Sequence, residues 1–175
     1  MKATDVVARR LLDAGVTHVF GISGGASLHI IHSIYELDGI EFHCLQHEQA
    51  CGFAADSYAR LNGIGCAVAT SGPGASNLAT PIIASYYDSI PVIYVVGNVT
   101  TFRMASQFAN PPRGYGFQEI PFVEMMKPVV KYAVEVLDPA RVRYELDRCI
   151  AQAKAGRPGP TLLSLPDDVQ RAEIA

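Results

Sequence analysis

The stretch that decides the fold is Gly65-Cys66-Ala67-Val68-Ala69-Thr70, a run of small and apolar residues without a charge. A strand that is apolar on both of its faces is typical of a parallel sheet covered by helices on each side. The next four residues, Ser71-Gly72-Pro73-Gly74, indicate a turn, after which a helix is predicted over about 75–87. A buried strand that turns into a helix in this way indicates an α/β protein.

The same alternation of strand and helix patterns extends along the whole chain. The apolar patterns predict strands over 18–21, 40–45, 65–70, 91–97, 129–136 and 160–165. They predict helices from a cap at Thr4 to Gly15 and over 28–37, 50–60, 75–87 and 139–155, with Asn62-Gly63 as the stop of the third. Strands that alternate with helices imply a parallel sheet with right-handed crossovers. The predicted fold is one domain over residues 1–175, a three-layer, doubly wound, six-stranded parallel sheet with helices on both faces.

The composition excludes several classes of protein. The chain has 175 residues, of which 49% are hydrophobic and 18% are charged, so it is neither disordered nor membrane-like. It has no apolar run near the roughly 20 residues of a spanning helix, and residues 1–5 lack the apolar core of a signal peptide, so we expect a soluble, cytoplasmic protein. A net charge of −3 without a Lys/Arg cluster argues against nucleic acid. The cysteines form no CxxC pair and the histidines no HExxH pattern, so no metal site is predicted in this chain.

Three corners that follow predicted strands carry unusual residues, at 22–26, 47–49 and 71–77. In parallel α/β sheets such corners lie at one edge, where ligands dock. Glu48 stands at one of them, between a strand and a helix. A carboxylate there is also the residue type that the dipole of a helix favours in its first turn, and this simpler interpretation stays open. The polar segment 98–120 is a long loop, and loops of that length are more often functional than accidental.

Phosphate-binding motifs are absent from these corners. The GxGxxG pattern fails because Asn77 stands at its third glycine, and no Gly-Lys-Ser/Thr follows either glycine-rich corner. Neither Ser71 nor Ser76 has the flanking glycines of a GxSxG elbow. Pro73 also removes one N–H donor that a phosphate would use. The corners therefore favour a flat organic ring over a phosphate group.

Five segments together resemble a known family. They are Val19-Phe20-Gly21-x-x-Gly24-Gly25-Ala26, the HEQA-x-G-x-AA-x-x-YAR segment over 47–60, the TSGPGA-x-N segment over 70–77, Gly116-Phe117-Gln118-Glu119, and the GRPGP…P-x-DV segment over 156–169. In this order and spacing they resemble the N-terminal pyrimidine-binding domain of thiamine diphosphate (ThDP) enzymes of the acetolactate synthase type. The resemblance covers essentially the whole chain and implies a flavodoxin-like fold.

The resemblance implies a role for each corner. Glu48 is implied to be catalytic, because the family's acid at this place hydrogen-bonds the N1′ ring nitrogen of the cofactor and so promotes loss of the thiazolium C2 proton. The other implied cofactor contacts are Ile22, Gly24, Pro73 and Asn77, and the implied substrate-side residues are Gly25, Ala26, Phe117 and Gln118. For Pro73 and Asn77, turn rigidity and bonding in the first turn of a helix are the alternative. Ile22-Ser23 replaces the Tyr-Pro of many synthases, which leaves other 2-oxoacid or sugar-modifying branches open.

The resemblance also implies that this chain holds half of a cofactor site. In the family, a second domain binds the diphosphate through Mg²⁺ with a Gly-Asp-Gly segment, and this sequence contains none. We expect that domain in the same longer chain or in a partner subunit. The chain ends where the family's linker to a middle domain would begin, with no helix expected after the last strand, and this favours a piece of a longer polypeptide.

The implied partners are a small 2-oxoacid substrate, further copies of this chain, and the diphosphate-binding domain. The family binds its cofactor between subunits, so a homodimer or higher homo-oligomer is expected, with Phe53, Tyr86 and Tyr87 as contact residues or as ordinary core. The predicted function is the pyrimidine-binding part of a carboligase or decarboxylase. The alternatives are a non-catalytic assembly or regulatory subunit of the same fold, and a flavodoxin-like binding protein. Retention of Glu48 favours the enzyme, since an assembly domain does not need an acid there.

Overall fold

A six-stranded, fully parallel sheet forms the centre of the protein, and this confirms the predicted fold class. A computed structural model describes residues 1–174. The strands are β1 (His18–Gly21), β2 (Glu41–Cys44), β3 (Gly65–Ala69), β4 (Val92–Asn98), β5 (Tyr132–Glu135) and β6 (Thr161–Pro166). Their order in the sheet is β2-β1-β3-β4-β6-β5. Every residue of the central strands β3, β4 and β6 is buried, as the apolar run of 65–70 predicted.

The helices cover both faces of this sheet. They are α1 (Ala3–Asp13), α2 (Leu28–Tyr35), α3 (Glu48–Asn62), α4 (Pro73–Ser76), α5 (Ala79–Asp88), α6 (Phe122–Met126), α7 (Val142–Lys154) and α8 (Asp167–Arg171). One apolar cluster joins α1, α2 and α7 to the sheet, and a second joins α3, α5 and α6 to its other face. Strand β3 contributes Cys66 and Val68 to the first cluster and Ala67 and Ala69 to the second. This alternation follows from the pleat of a strand and gives the three predicted layers.

The predicted cap of the first helix was wrong. Helix α1 begins at Ala3 after Lys2, whose backbone N–H donates to Asp5 Oδ2 at 3.0 Å. Thr4 lies inside the helix and is fully buried, where its hydroxyl donates to the Gln170 carbonyl at 3.4 Å and accepts a bond from Ser33 Oγ at 2.8 Å. The Thr4 hydroxyl, which was predicted to cap the helix, is therefore hydrogen-bonded to residues of other elements instead.

The predicted helix over 75–87 is two helices. Helix α4 ends at Ser76, and α5 begins at Ala79. The third residue of α5 is Pro81, which has no N–H to donate to a preceding turn and is tolerated in the first turn of a helix. The break places Asn77 between the two helices, where its side chain can reach a neighbouring element.

Two short helices were not expected from the sequence. Helix α6 is followed by a single turn, Lys127–Val129, which overlaps the first residue of the predicted strand 129–136. Strand β5 is confined to Tyr132–Glu135. Helix α8 follows β6 directly, and the expectation of no helix after the last strand was wrong. None of the helices within residues 1–174 is both long and apolar enough to cross a membrane.

A buried polar network fixes α3 against α5 and β4. Asp56 of α3 accepts bonds from Arg60 Nε at 2.6 Å and from Ser85 Oγ at 2.7 Å, and Ser85 Oγ lies 2.9 Å from the hydroxyl of Tyr94. The single proton of the Ser85 hydroxyl is donated to Asp56, so the Tyr94 hydroxyl donates to Ser85. Burial also raises the pKa of the Tyr94 hydroxyl above its usual value. The helix that begins at Glu48 is thereby joined to two other elements by hydrogen bonds as well as by apolar contact.

A close backbone approach fixes the corner after β1. A Cβ atom at Gly97, near the end of β4, would lie 1.7 Å from the carbonyl oxygen of Ala26. The same carbonyl accepts a bond from Gln170 Nε2 at 2.6 Å. The position of this glycine-rich corner therefore depends on the absence of a side chain at Gly97.

Replacement of Gly97 tests this contact. We expect Gly97→Ala to lower the free energy of unfolding by about 2 kcal/mol or more, because the backbone of Ala26 must move to admit the methyl group. Gly114→Ala is the matched control, since a Cβ there meets no atom within 4 Å, and we expect it to change stability by less than about 1 kcal/mol. Urea unfolding of both variants measures this difference, and equal stabilities would contradict the proposed contact.

Replacement of Ser85 tests the polar network. Ser85→Ala removes one bond from Asp56 and one from Tyr94, so we expect a loss of about 1–3 kcal/mol in unfolding free energy. Ser57→Ala, at an exposed position of α3 next to Asp56, should change it by no more than about 0.5 kcal/mol. Chemical denaturation monitored by circular dichroism gives both values, and a neutral Ser85→Ala would show that the network does not stabilise the fold.

Candidate functional site

The strand order places a crevice between β1 and β3. These strands are neighbours in the sheet, yet α2, which follows β1, packs on one face, while α5, which comes after β3 and α4, packs on the other. In doubly wound sheets, ligands bind where the connections diverge in this way, beyond the carboxyl ends of the strands. The corners 22–26 and 71–77 follow β1 and β3 and lie at this point.

An open cleft of about 520 Å³ lies at this edge of the sheet. Its volume is within the range of about 300–1,000 Å³ that small-molecule sites have. Five of the nine predicted site residues line it: Gly24, Gly25, Ala26, Phe117 and Gln118. It is also lined by residues to which the sequence gave no role: Thr70, Ser71, Asn98, Val99, Thr100, Phe102, Arg103 and Asp167. The structure thus brings the long loop over the glycine-rich corner.

Thr70 joins the two corners of the crevice. Its Oγ1 accepts a hydrogen bond from the backbone N–H of Ala26 at 3.2 Å. Thr70 belongs to the segment that carries the family resemblance, but the sequence did not give it a role. The one sequence feature that could have indicated a role for Thr70 is its hydroxyl at the end of an otherwise apolar predicted strand, 65–70.

The loop over the cleft is held in a strained conformation. Gln118 has a φ of +58°, in the left-handed region that a residue with a side chain rarely adopts. Its carbonyl oxygen lies so near Gly72 that a Cβ there would be 2.1 Å from it. The next residue, Glu119, accepts bonds from the backbone N–H of Ala105 at 2.8 and 2.9 Å. The Glu119 carboxylate therefore holds together the two ends of the loop that places Phe117 and Gln118.

Helix α8 secures the other end of the long loop. Asp168 accepts bonds from the backbone N–H and the hydroxyl of Thr101 at 2.9 and 2.5 Å. Its neighbour Asp167 lines the cleft. The short helix that the sequence did not predict is therefore part of the wall of the site.

Glu48 is the first residue of α3 and directly follows the N-cap residue His47. The cap is supplied by His47 Nδ1, which accepts a bond from the Gln49 N–H at 3.1 Å. The half-buried Glu48 carboxylate accepts a bond from Asn77 Nδ2 to its Oε2 at 2.9 Å. Within residues 1–174 no hydrogen-bond donor reaches Glu48 Oε1, and no ion pair involves this carboxylate. The helix dipole favours an acid at this position, but it does not account for the cross-link to Asn77.

The predicted residues form two adjacent groups rather than one continuous pocket. Glu48, Asn77 and Pro73 lie around the 71–77 corner but do not line the cleft, and neither does the half-buried Ile22 after β1. A second cavity, of about 600 Å³, lies between the long loop, α6 and β5 and contains none of the predicted site residues. The arrangement offers a carboxylate with a free oxygen on one side of the corner and an open cleft on the other.

Comparison with known proteins gives a consistent result. The family described as "Thiamine pyrophosphate enzyme, N-terminal TPP binding domain" matches residues 1–125; thiamine pyrophosphate is another name for ThDP. The acetolactate synthase large subunit of Haemophilus influenzae is 37% identical over 169 residues, which cover 96% of this chain and 28% of that protein. The acetolactate synthase isozyme 3 large subunit of Escherichia coli is 37% identical over 171 residues, or 97% of this chain and 28% of that protein.

An archaeal protein extends the similarity along the whole chain. The probable acetolactate synthase large subunit of Methanocaldococcus jannaschii is 38% identical over 175 residues, which cover 99% of this chain and 28% of that protein. The chain thus spans a little over a quarter of the length of these curated relatives. The match covers both the corner with Glu48 and the glycine-rich corner of the cleft. This chain belongs to the family of thiamine pyrophosphate enzyme N-terminal TPP binding domains.

Proposed function

We propose that this chain is the pyrimidine-binding part of a ThDP-dependent enzyme of the acetolactate synthase type, with Glu48 as the residue that activates the cofactor. The observation that carries the proposal is the Glu48–Asn77 pair at the carboxyl edge of the sheet, beside an open cleft. The family and the relatives support it, because they are described as thiamine pyrophosphate enzymes and as acetolactate synthases.

The residues of the corner fit one end of the cofactor. Glu48 Oε1 is free to bond a ring nitrogen, while Asn77 holds Oε2 and so orients the carboxylate. Pro73 and Ile22 offer apolar surface to a flat ring, and Gly24 adds no side chain. When bound, ThDP supplies a carbon nucleophile that attacks the carbonyl group of a 2-oxoacid.

The role of Glu48 is to share a proton with the N1′ atom of the aminopyrimidine. A carboxyl group can pass this proton in both directions, whereas an amide of the same size cannot exchange it. The Asn77 amide donates to Oε2, so Oε1 is the oxygen that remains to hold the proton. The hydrogen-bonded network around Asp56 keeps α3, and with it Glu48, in place during the exchange.

The cleft fits a small 2-oxoacid. Gly24, Gly25 and Ala26 have little or no side chain and leave room for a substrate to approach the cofactor, with Phe117 and Gln118 on the opposite wall. Among the described residues that line the cleft, Arg103 is the one cation. A guanidinium group binds a carboxylate with two parallel hydrogen bonds, which matches the carboxylate of a 2-oxoacid.

The remaining half of the cofactor site belongs to another domain in this proposal. The sequence has no Gly-Asp-Gly segment to hold Mg²⁺ and the diphosphate, and the chain corresponds to 28% of the Haemophilus influenzae protein. A diphosphate-binding domain in the same longer chain or in a partner subunit would complete the site. The aromatic residues Phe53, Tyr86 and Tyr87 are 40%, 42% and 74% exposed on α3 and α5, and they offer an apolar surface for this domain or for a second subunit.

Replacement of Glu48 by Gln tests its catalytic role. In the assembled enzyme with ThDP and Mg²⁺, we expect Glu48→Gln to slow exchange of the thiazolium C2 proton by roughly 10²- to 10⁴-fold, because the amide cannot relay a proton. Exchange into deuterated water followed by NMR measures the rate.

Glu36→Gln is the matched control, since Glu36 is an exposed acid at the end of α2 and does not line the cleft. It should leave the rate unchanged. A Glu48→Gln enzyme that binds ThDP and exchanges the proton at the normal rate would sink the assignment.

Calorimetric titration tests whether the chain holds only half of the site. We expect the 175-residue chain to bind ThDP in the presence of Mg²⁺ at least roughly 100-fold more weakly than the assembled enzyme, because the charge-assisted contacts to the diphosphate are lost. Addition of the diphosphate-binding domain should restore the affinity. Equally tight binding by the isolated chain would contradict the division of the site between two domains.

A further inference from the structure

Three side chains that can ligate metals converge on one face of the sheet, away from the site described above. His18 is the first residue of β1, and its partner in the register of the parallel pair is Glu41, the first residue of β2. His43 follows two positions later in β2, so that its side chain points to the same face as that of Glu41. The cluster lies within these strands, whereas Glu48 and the cleft lie beyond their carboxyl ends.

The ligand atoms of this cluster face one another. His18 Nδ1 lies 2.8 Å from His43 Nε2, and Glu41 Oε2 lies 3.6 Å from each of these nitrogens. All three atoms are within 4.8 Å of one another, as the donors of a single ion must be. A hydrogen bond between the two rings uses one ring proton and one lone pair, so in that state only one of the two nitrogens donates.

We propose that His18, Glu41 and His43 bind a divalent transition metal ion of the zinc type. Two imidazole nitrogens and one carboxylate oxygen are a donor set that zinc commonly takes, with water in the fourth position. Bonds of about 2.0–2.1 Å in a tetrahedral site place neighbouring donors about 3.3 Å apart. The two distances from the Glu41 oxygen to the ring nitrogens, 3.6 Å each, are slightly longer than this value, and the distance of 2.8 Å between the two nitrogens is shorter. The two rings need to separate by only about 0.5 Å, and the ion replaces the proton between them.

Neighbouring aromatic rings hold the two imidazoles in place. Phe20 stacks on His43 with ring centres 5.2 Å apart, and Tyr58 meets the edge of His18 at 5.5 Å. The Tyr58 hydroxyl is itself fixed by Thr17, whose N–H and Oγ1 lie 3.2 and 2.8 Å from it. A supporting shell of this kind orients metal ligands before an ion arrives.

The cluster is also accessible to an ion and to water. The side chains of His18 and His43 are 39% and 38% exposed, and that of Glu41 is 70% exposed. Strand β2 is the edge strand of the sheet, so no further strand of residues 1–174 covers it. The bound ion would cross-link the edge strand to β1, which is a structural effect that is independent of the proposed ThDP chemistry.

Isothermal titration with zinc chloride tests the site. The 175-residue chain, prepared without a polyhistidine tag, should bind one Zn²⁺. Loss of an outer-shell partner typically costs roughly 10- to 100-fold in metal affinity. His43→Ala removes a direct ligand, so we expect it to weaken Zn²⁺ binding by more than this. Glu41→Gln should weaken it at least about tenfold, and because Glu41 is largely exposed, this variant should fold normally.

His32→Ala is the control, since His32 is an exposed histidine on α2 and lies outside the cluster. It should leave the affinity unchanged. Substitution with Co²⁺ gives a second readout, because the visible absorption of a site with nitrogen and oxygen ligands should be lost in His43→Ala and kept in His32→Ala. Absence of stoichiometric Zn²⁺ binding by the unmodified chain would overturn the proposal and leave a hydrogen-bonded histidine pair. Equal affinities of the unmodified chain, Glu41→Gln and His43→Ala would also overturn it.

Discussion

Burial of the central strands on both faces is the constraint on which the rest of the structure depends. Every side chain of β3, β4 and β6 lies inside the protein, so helices must cover the sheet on each side. Parallel strands require crossover helices, and these bring every strand-to-helix corner to the same edge. The crevice between β1 and β3 is therefore a consequence of how the core is buried. The residues at its corners then decide what the crevice can bind.

The two kinds of order at this edge have different physical origins. The glycine-rich corner is fixed by close backbone packing against Gly97 and by one bond to Thr70. The long loop is fixed by carboxylates. Glu119 accepts from the backbone N–H groups of Ala105 and Gly116, and Asp168 accepts from the backbone N–H and the hydroxyl of Thr101. Gln118 keeps a strained φ because these anchors hold the loop on either side of it. Strain of this kind is typical of positions that face a ligand.

The carboxylate of Glu48 is oriented by a neutral amide group and not by an ion pair. The buried Asp56 of the same helix is paired with Arg60 and Ser85, whereas Glu48 has a single amide partner and an oxygen to spare. The first arrangement stabilises the position of the helix, and the second leaves an acceptor for a ligand. In the proposed function, the hydrogen bonds of Asp56 hold α3 in place, and α3 in turn positions the reactive carboxylate of Glu48. A partner domain would cover the carboxylate from the side that this chain leaves open.

The sequence by itself determined the fold class, the six strands in their approximate positions, and the corners at which the candidate site lies. These features follow from local patterns: apolar runs, glycines at strand ends, and the order of the five segments. The tertiary structure alone decided that Thr4 is buried rather than a cap, that the helix over 75–87 breaks at Asn77, and that α8 forms part of the cleft wall. It also decided the meeting of Asn77 with Glu48, of Thr70 with Ala26, and of His18 with His43. Each of these pairs joins residues more than 20 positions apart, and their contact depends on strand register and helix packing, which no local spacing encodes.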